Sequence, residues 1–498
     1  MARTAAGPFD VRTAGVLLHL TSVPGAFGIG DLGPGADAAL AWIERAGLTW
    51  WQMLPVGPIG PGDSPYASTS SFAGEPLLVA IEGLVDDGLL PPEVLNGVPP
   101  SLGRGSTRFS DATAIKYPLF VRAWQAFKAG GGLKSAPWKR FVRRNRYWLP
   151  GWRAFTNDSS GLHAFLQFQF ARQWSRLRSA ADSRGIRLLG DVPIFVADGS
   201  ADVRDHPELF RLTRNGDPKV VTGVPPDQFS ATGQRWGHPH YRWSAHRRTG
   251  FAWWIERMSA AIGRFHAVRI DHFIGLHHAY EIPATSDTAT NGTWHPAPGD
   301  TLLTSLRQAL GGVLPVVAED LGSLTPGVVA LRDRFALPGM RLLQDAFSAD
   351  DHPSAPHRHP RHLVCYPGTH DNPTTIDWWA HLDPVSRARA RAYIGWDGID
   401  PAATMVRLAF TSPANTAIAT MQDLLGLGPE ARMNLPGTAT GNWHWRLQPY
   451  GPSSLRPDVA DRIRALASLT GRLGADPSGA YPTNDGRGLQ ERVRVQRT

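Results

Sequence analysis

The chain reads as an α/β protein built around a parallel sheet, closed or open, and three observations lead there. Short apolar runs end in polar residues, helical patterns alternate with those runs, and 498 residues suffice for several domains or for one α/β barrel with insertions. Strands buried on both faces of a sheet read as continuous apolar segments. Six segments fit: Val16–Leu20, Trp50–Pro55, Arg187–Asp191, Ala267–Asp271, Leu314–Glu319 and Leu363–Tyr366, the last leading to His370 and Asp371. Between them Ala36–Arg45 makes a short helix. Leu166, Phe170, Trp174 and Leu177 recur at helical spacing, and so do Ile255, Met258 and Ile262. The stretch 57–161 interrupts the alternation with Gly- and Pro-rich loops and one helical segment carrying Phe120, Trp124 and Phe127, and reads as an insertion. After about Gly471 the periodicity is lost, so 472–498 reads as a frayed tail.

Hydrophobic residues make up 42% of the chain and charged residues 19%, the balance of a chain that buries a core. The single cysteine, Cys365, excludes an intramolecular disulfide and suits a reducing, cytoplasmic setting. The apolar run Ala14–Leu20 contains His19 and is too short and polar for a signal peptide or a membrane span. A net charge of +8 would suit an anionic partner, but the cations are spread along the chain with nothing denser than Arg143, Arg144 and Arg146. Neither nucleic acid nor a membrane is therefore expected as a partner. Gly28-Ile29-Gly30-Asp31-Leu32-Gly33 matches G-x-G-x-x-G, yet Thr21–Phe27 separate it from the preceding strand and Pro34 follows, so it reads as a plain Gly-rich loop. The histidines lack metal-ligand spacing, and no cofactor or metal is expected.

The informative signal is three carboxylates, Asp271, Glu319 and Asp371. Each lies just past an apolar strand, and each follows the last by about 50 residues, one or two strand–helix units with their loops. All three can converge at the C-terminal rim of one sheet. Making or breaking a glycosidic bond needs two carboxyl groups in opposite protonation states. Arg269 and Asp271 sit two apart on one strand, so they leave the same face and the guanidinium can hold the aspartate ionised, as a nucleophile requires. The competing reading of this pair is a structural ion pair. Glu319 follows an apolar run with no cation beside it in sequence, which favours a protonated general acid. Aromatic residues add a second signal, because sugar rings present apolar faces. Of the 18 tryptophans, Trp236 lies among turn formers, as does Tyr66, so both read as surface-accessible, whereas Trp253, Trp254, Trp378 and Trp379 read as core.

Taken together, these segments resemble the amylomaltase or disproportionating-enzyme family, the 4-α-glucanotransferases of the α-amylase clan. The likeness runs from about Ala14 to Trp445, through the Gly28–Gly33 loop, Ser64-Pro65-Tyr66-Ala67-Ser68, Gly190–Ala197, Gly223–Asp227, Arg269–Phe273, Ala318–Gly322, Gly368–Asn372, Met421–Leu425 and Arg432–Asn434. The resemblance implies a (β/α)8 TIM barrel over 1–471 with large helical and loop insertions and no separate C-terminal β-domain. It implies Asp271 as nucleophile, Glu319 as acid/base and Asp371 as transition-state stabiliser. It also implies that Tyr66, Asp227 and Trp236 contact the glucan, the latter two from a loop arching over the cleft, with Arg269, His272 and His370 lining it. The partners implied are α-1,4-glucans and maltooligosaccharides as donors and glucose or a glucan as acceptor. Glu75, Arg204 and Asp345 depart from the family pattern, where asparagine, tryptophan and an apolar residue are usual. An α-glucan hydrolase of the same clan would use the same carboxylates. A catalytically silent glucan-binding protein would have no need to keep all three.

Overall fold

The computed structural model describes residues 7–226, 230–322, 324–395 and 400–474. Eight strands form one wholly parallel sheet: β1 (Thr13–Leu17), β2 (Trp50–Gln52), β3 (Arg187–Pro193), β4 (Ala267–Asp271), β5 (Val316–Ala318), β6 (Gly339–Leu342), β7 (Leu363–Tyr366) and β8 (Thr416–Thr420). They neighbour one another in chain order, and β8 returns to pair with β1. At the β5–β6 seam the Ala318 N–H donates to the Pro338 carbonyl at 2.9 Å, so the sheet curls into a nearly closed (β/α)8 barrel.

The two-residue period of a strand then sorts the side chains. Leu17, Trp50, Leu189, Ala267, Val317 and Val364 fill the barrel, with Phe9 stacked on Trp50 at 4.9 Å. Val16, Trp51, Leu188, Val268, Val316 and Ala417 point outward into the larger core beneath the helices. The helices include Pro34–Arg45 after β1, Leu162–Asp182 before β3, Ala252–Arg264 before β4, Gly299–Ala309 before β5, Pro326–Arg334 before β6 and Pro401–Thr411 before β8. The β6–β7 connection carries two 3-10 turns, Leu343–Asp345 and Pro356–Arg358, in place of an α-helix. Among the described residues no helix is long and apolar enough to cross a membrane.

Two barrel strands, β6 and β8, were not anticipated from sequence. Gly339-Met340-Arg341-Leu342 is short and interrupted by an arginine, and Thr416-Ala417-Ile418-Ala419-Thr420 is too rich in alanine to stand out as a strand. The stretch 57–161 holds four α-helices rather than one: Ile81–Asp86, Phe109–Ala129, Ala136–Arg144 and Leu149–Phe155. Buried Lys116, on the second of these, donates to Asp31 Oδ2 and to the Leu77 carbonyl, both at 2.7 Å. Asp31 Oδ1 in turn accepts the Gly33 N–H at 3.0 Å, so the Gly-rich loop anchors this helix. Gly28 turns the loop with φ +83°, a conformation that favours glycine.

A second, antiparallel sheet of four strands, in the order Gln234–Pro239, Val220–Val224, His278–Pro283, Thr293–Pro296, is built from the connections after β3 and β4. Trp236 therefore lies on a strand and not in a loop, and Asp227, expected beside it over the cleft, lies outside the described residues.

Arg472 corrects the expected start of the tail. Its side chain is fully buried, and the guanidinium donates to the carbonyls of Phe410 and Thr13 at 2.7 Å, Ala414 at 2.8 Å and Asn415 at 2.9 Å. It thus ties the end of helix Pro457–Leu469, the last among the described residues, to the start of β1 and the approach to β8. Burial and then Arg12 lower its pKa to about 9, so it remains a cation at neutral pH. Replacing it with Met strands several buried carbonyls, at a cost of about 3 kcal/mol or more. The expected result of Arg472→Met is a lower thermal-inactivation midpoint with unaltered KM at permissive temperature. An unchanged midpoint would show that the clasp is dispensable.

Candidate active site

The polar ends of the barrel strands meet at one rim. Arg269 and Asp271 both follow the inward period of β4, and Asp191 holds the matching position on β3, in register with Arg269. Arg269 donates to Asp191 Oδ2 at 2.6 Å and to Asp271 Oδ1 at 2.8 Å. Burial works against the Arg269 cation, but Asp191 and Asp271 outweigh it and hold its pKa above the ordinary value. Asp271 keeps 28% of its side-chain surface exposed, so one carboxylate is both oriented by a cation and open to the cleft.

Glu319 stands beside Asp271. Ile270 pairs with Ala318 across β4 and β5, and the ladder continues with Glu319 N–H donating to the Ile270 carbonyl and Phe273 N–H to the Glu319 carbonyl, each at 3.1 Å. Asp271, at the end of β4, and Glu319, the residue just past β5, are therefore neighbours across adjacent parallel strands, whose backbones lie about 4.8 Å apart. After Asp271 the chain turns through His272 in the left-handed region, φ 53° and ψ 50°, an uncommon conformation for a residue with a side chain. That turn aims the His272 N–H at Glu319 Oε2, at 2.7 Å, while the Leu321 N–H reaches Oε1 at 3.3 Å. Burial pushes the Glu319 pKa up to about 8 against the opposing pull of Arg269, with Asp271 adding to the rise. Burial also lowers the His272 pKa to about 4, which leaves this imidazole neutral.

Asp371 arrives from the loop after β7. Asn372 closes that loop by accepting the Thr369 N–H at 2.9 Å and the Thr369 hydroxyl at 3.0 Å. Asn434, from beyond β8, donates to Asp371 Oδ1 at 2.6 Å, and Arg432 donates to the Asp371 carbonyl at 3.2 Å. His370 is buried and its pKa is lowered by that burial.

Tyr66 joins these groups. Its hydroxyl donates to Asp191 Oδ2 at 2.7 Å and lies 2.8 Å from His370 Nε2, so the network assigns the Nε2–H tautomer, donating to the tyrosine oxygen. The Tyr66 and His370 rings stack with centroids 5.4 Å apart, and Trp443 tilts against Tyr66 at 5.6 Å. A chain of polar contacts thus runs from His370 through Tyr66, Asp191 and Arg269 to Asp271. The hydroxyl that looked free from its turn-forming neighbours is committed to this chain. Trp236 presents its ring against His272, 4.8 Å between centroids and nearly perpendicular.

Three participants were not singled out from sequence. Asp191 was seen only as the end of a strand, although that same position was the signal at Asp271. Asn434 had no local signal beyond its short motif with Arg432. His19, buried after β1, has its pKa lowered to about 3 by burial and then by His370. Of the departures noted above, Glu75 is structural: it accepts the Leu77 and Ile59 N–H groups, each at 2.8 Å. Asp345 is half-buried on the turn after β6, where burial raises its pKa, and Arg204 is exposed. Trp253 and Trp254 are buried as expected, while Trp378 and Trp379 are half-buried against the core.

Comparison with known proteins identifies the family of the chain. A family model described as 4-alpha-glucanotransferase matches residues 18–160 and 152–452. The 4-alpha-glucanotransferase of Thermus thermophilus is 41% identical over 93% of this chain and 99% of its own length. That of Synechocystis sp. is 39% identical over 93% and 98%. Among solved structures, the amylomaltase from Streptococcus agalactiae in complex with acarbose is 29% identical, with a TM-score of 0.86 covering 93% of this chain and 99% of that one. With a family model matched from just after β1 to beyond β8, and relatives about 40% identical over 93% of its length, the chain belongs to the 4-alpha-glucanotransferase family.

Proposed function

We propose that this enzyme cuts an α-1,4-glucan and rejoins the cut segment to the 4-hydroxyl of an acceptor glucose or glucan, with net retention. The observation that carries this reading is the adjacency of Asp271 and Glu319 at the ends of neighbouring strands, one held by Arg269 and the other desolvated. Retention through a covalent intermediate needs carboxyl groups about 5 to 5.5 Å apart, whereas inversion needs a wider gap that admits water, and side chains leaving adjacent strands suit the narrower spacing. Arg269 occupies Asp271 Oδ1, which leaves Oδ2 to attack the anomeric carbon. As that bond forms, the glycosidic bond breaks and its oxygen takes the proton of Glu319. In the second step Glu319 removes the proton of an acceptor 4-hydroxyl, whose oxygen attacks the anomeric carbon and releases the Asp271 carboxylate. Asp371, oriented by Asn434, accepts hydrogen bonds from ring hydroxyls that tighten as the ring flattens.

Tyr66, Arg269, His272 and His370 would line the subsite that holds this ring, and Asp227 and Trp236 would meet the glucan beyond it. Transfer requires the intermediate to meet sugar before water, and Trp236, packed on His272, is placed to shield it. Trp236→Ala is expected to raise the ratio of hydrolysis to transfer several-fold, read from the growth of reducing ends. An unchanged ratio would remove Trp236 from this role. The reading as a whole is tested with maltotriose as sole substrate. Glucose and longer maltooligosaccharides at constant reducing ends support transfer, whereas rising reducing ends make the enzyme a hydrolase.

A further inference from the structure

Cations alone are dispersed along this chain, but their excess is not. Between Asp111 and Asp158 there are ten Lys and Arg residues and no Asp or Glu, while the rest of the chain carries 41 cations and 43 carboxylates. The whole positive balance of the protein thus sits in the helical insertion. Nine of the ten are exposed, buried Lys116 being the exception. On helix Ala136–Arg144, Lys139, Arg140, Arg143 and Arg144 have no carboxylate partner among the described residues, nor do the nearby Arg122, Lys134 and Arg146. The apolar side of this helix is already committed to the body. Trp138 and Phe141 pack on Phe168, with centroids 5.5 Å away in each case, so the charged side is held outward on a fixed scaffold.

We propose that this face docks the enzyme reversibly on an anionic lipid surface. Clustered cations without intervening carboxylates are attracted to the smeared negative charge of such a surface. Exposed aliphatic side chains lie among them: Val121 at 39%, Leu133 at 41% and Val142 at 37%. Aliphatic groups beside basic ones suit the boundary between headgroups and acyl chains. A single-stranded nucleic acid would call for exposed rings on which bases stack, and every aromatic residue of this stretch is buried or half-buried. None of these cations bonds to Asp271, Glu319 or Asp371, so the proposal does not depend on the glucan reading.

The test is co-sedimentation of the full chain with vesicles of mixed phosphatidylglycerol and phosphatidylcholine, with pure phosphatidylcholine vesicles alongside. Binding is expected to the anionic vesicles alone and to weaken as salt rises. Replacing Lys139, Arg140, Arg143 and Arg144 together by Gln should weaken it about 100-fold or more, with maltotriose turnover unchanged as proof of folding. Leu133→Ser with Val142→Ser should weaken vesicle binding several-fold. Equal binding to neutral vesicles, no binding at low salt, or wild-type binding by the four-Gln variant would each overturn the proposal. So would duplex DNA that holds the protein at a salt concentration releasing it from anionic vesicles, since that outcome assigns the face to nucleic acid.

Discussion

Asp271→Asn is expected to lower transfer from maltotriose by at least about 10⁴-fold while glucan binding stays within a few-fold of wild type. The substitution keeps shape and keeps an oxygen for the Arg269 contact at 2.8 Å, but an amide cannot form the glycosyl ester. The loss should appear in kcat and kcat/KM alike, because the bond being lost forms only on the way to the intermediate. Mass spectrometry of wild type quenched with a slow donor should show one added glycosyl group on the peptide carrying Asp271, and the variant should show none. A variant that retains a tenth of wild-type turnover would sink the assignment and return the Arg269–Asp271 pair to a structural role.

Glu319→Gln is the second large effect, a loss of about 10²- to 10⁴-fold with unactivated glucans. Because burial holds the Glu319 pKa near 8, the group carries its proton at neutral pH, and kcat/KM should fall along an alkaline limb as pH rises through that value. The variant has no such proton to lose, so its limb should vanish. Its first step should be largely spared with an α-glucosyl fluoride donor, whose leaving group needs no protonation. Stability carries the opposite sign. A carboxyl whose folded pKa is raised destabilises the fold progressively as pH rises from the ordinary carboxyl value toward about 8, and fully above it. Glu319→Gln should therefore gain thermal stability over wild type at alkaline pH. A limb that persists in the variant would mean that another group supplies the proton.

Much of the site was legible because its signals are local. A strand buried on both faces is written as an apolar run, and a polar residue at its end has nowhere to go but the rim, which is how Asp271 and Glu319 stood out. Asp371 was legible for the same reason, although it is carried by a loop closed by Asn372. The i and i+2 relation of Arg269 to Asp271 needed only the strand period, and the structure returned it as a contact. Asp191 bears the same mark, yet its importance lies in sharing Arg269 and Tyr66, which no run of neighbouring residues encodes.

The errors have physical causes too. Turn formers around Tyr66 and Trp236 describe the backbone on either side, not what the rings meet, so both looked freer than they are. Trp236 entered a strand because the connections after β3 and β4 pair with each other, a long-range choice that local propensity does not record. A tail without periodicity offered no hint that Arg472 would find four closely placed carbonyls.

By itself, then, the sequence determined which residues could line a reactive rim, because strand period, burial pattern and the polar ends of strands are properties of a few consecutive side chains. Only the tertiary structure decided which of them meet. Closing the barrel brings β8 beside β1 and carries Asn434 to Asp371, Tyr66 to His370 and Arg472 to Thr13, and distances between residues so far apart in the chain are set by the ring of strands as a whole.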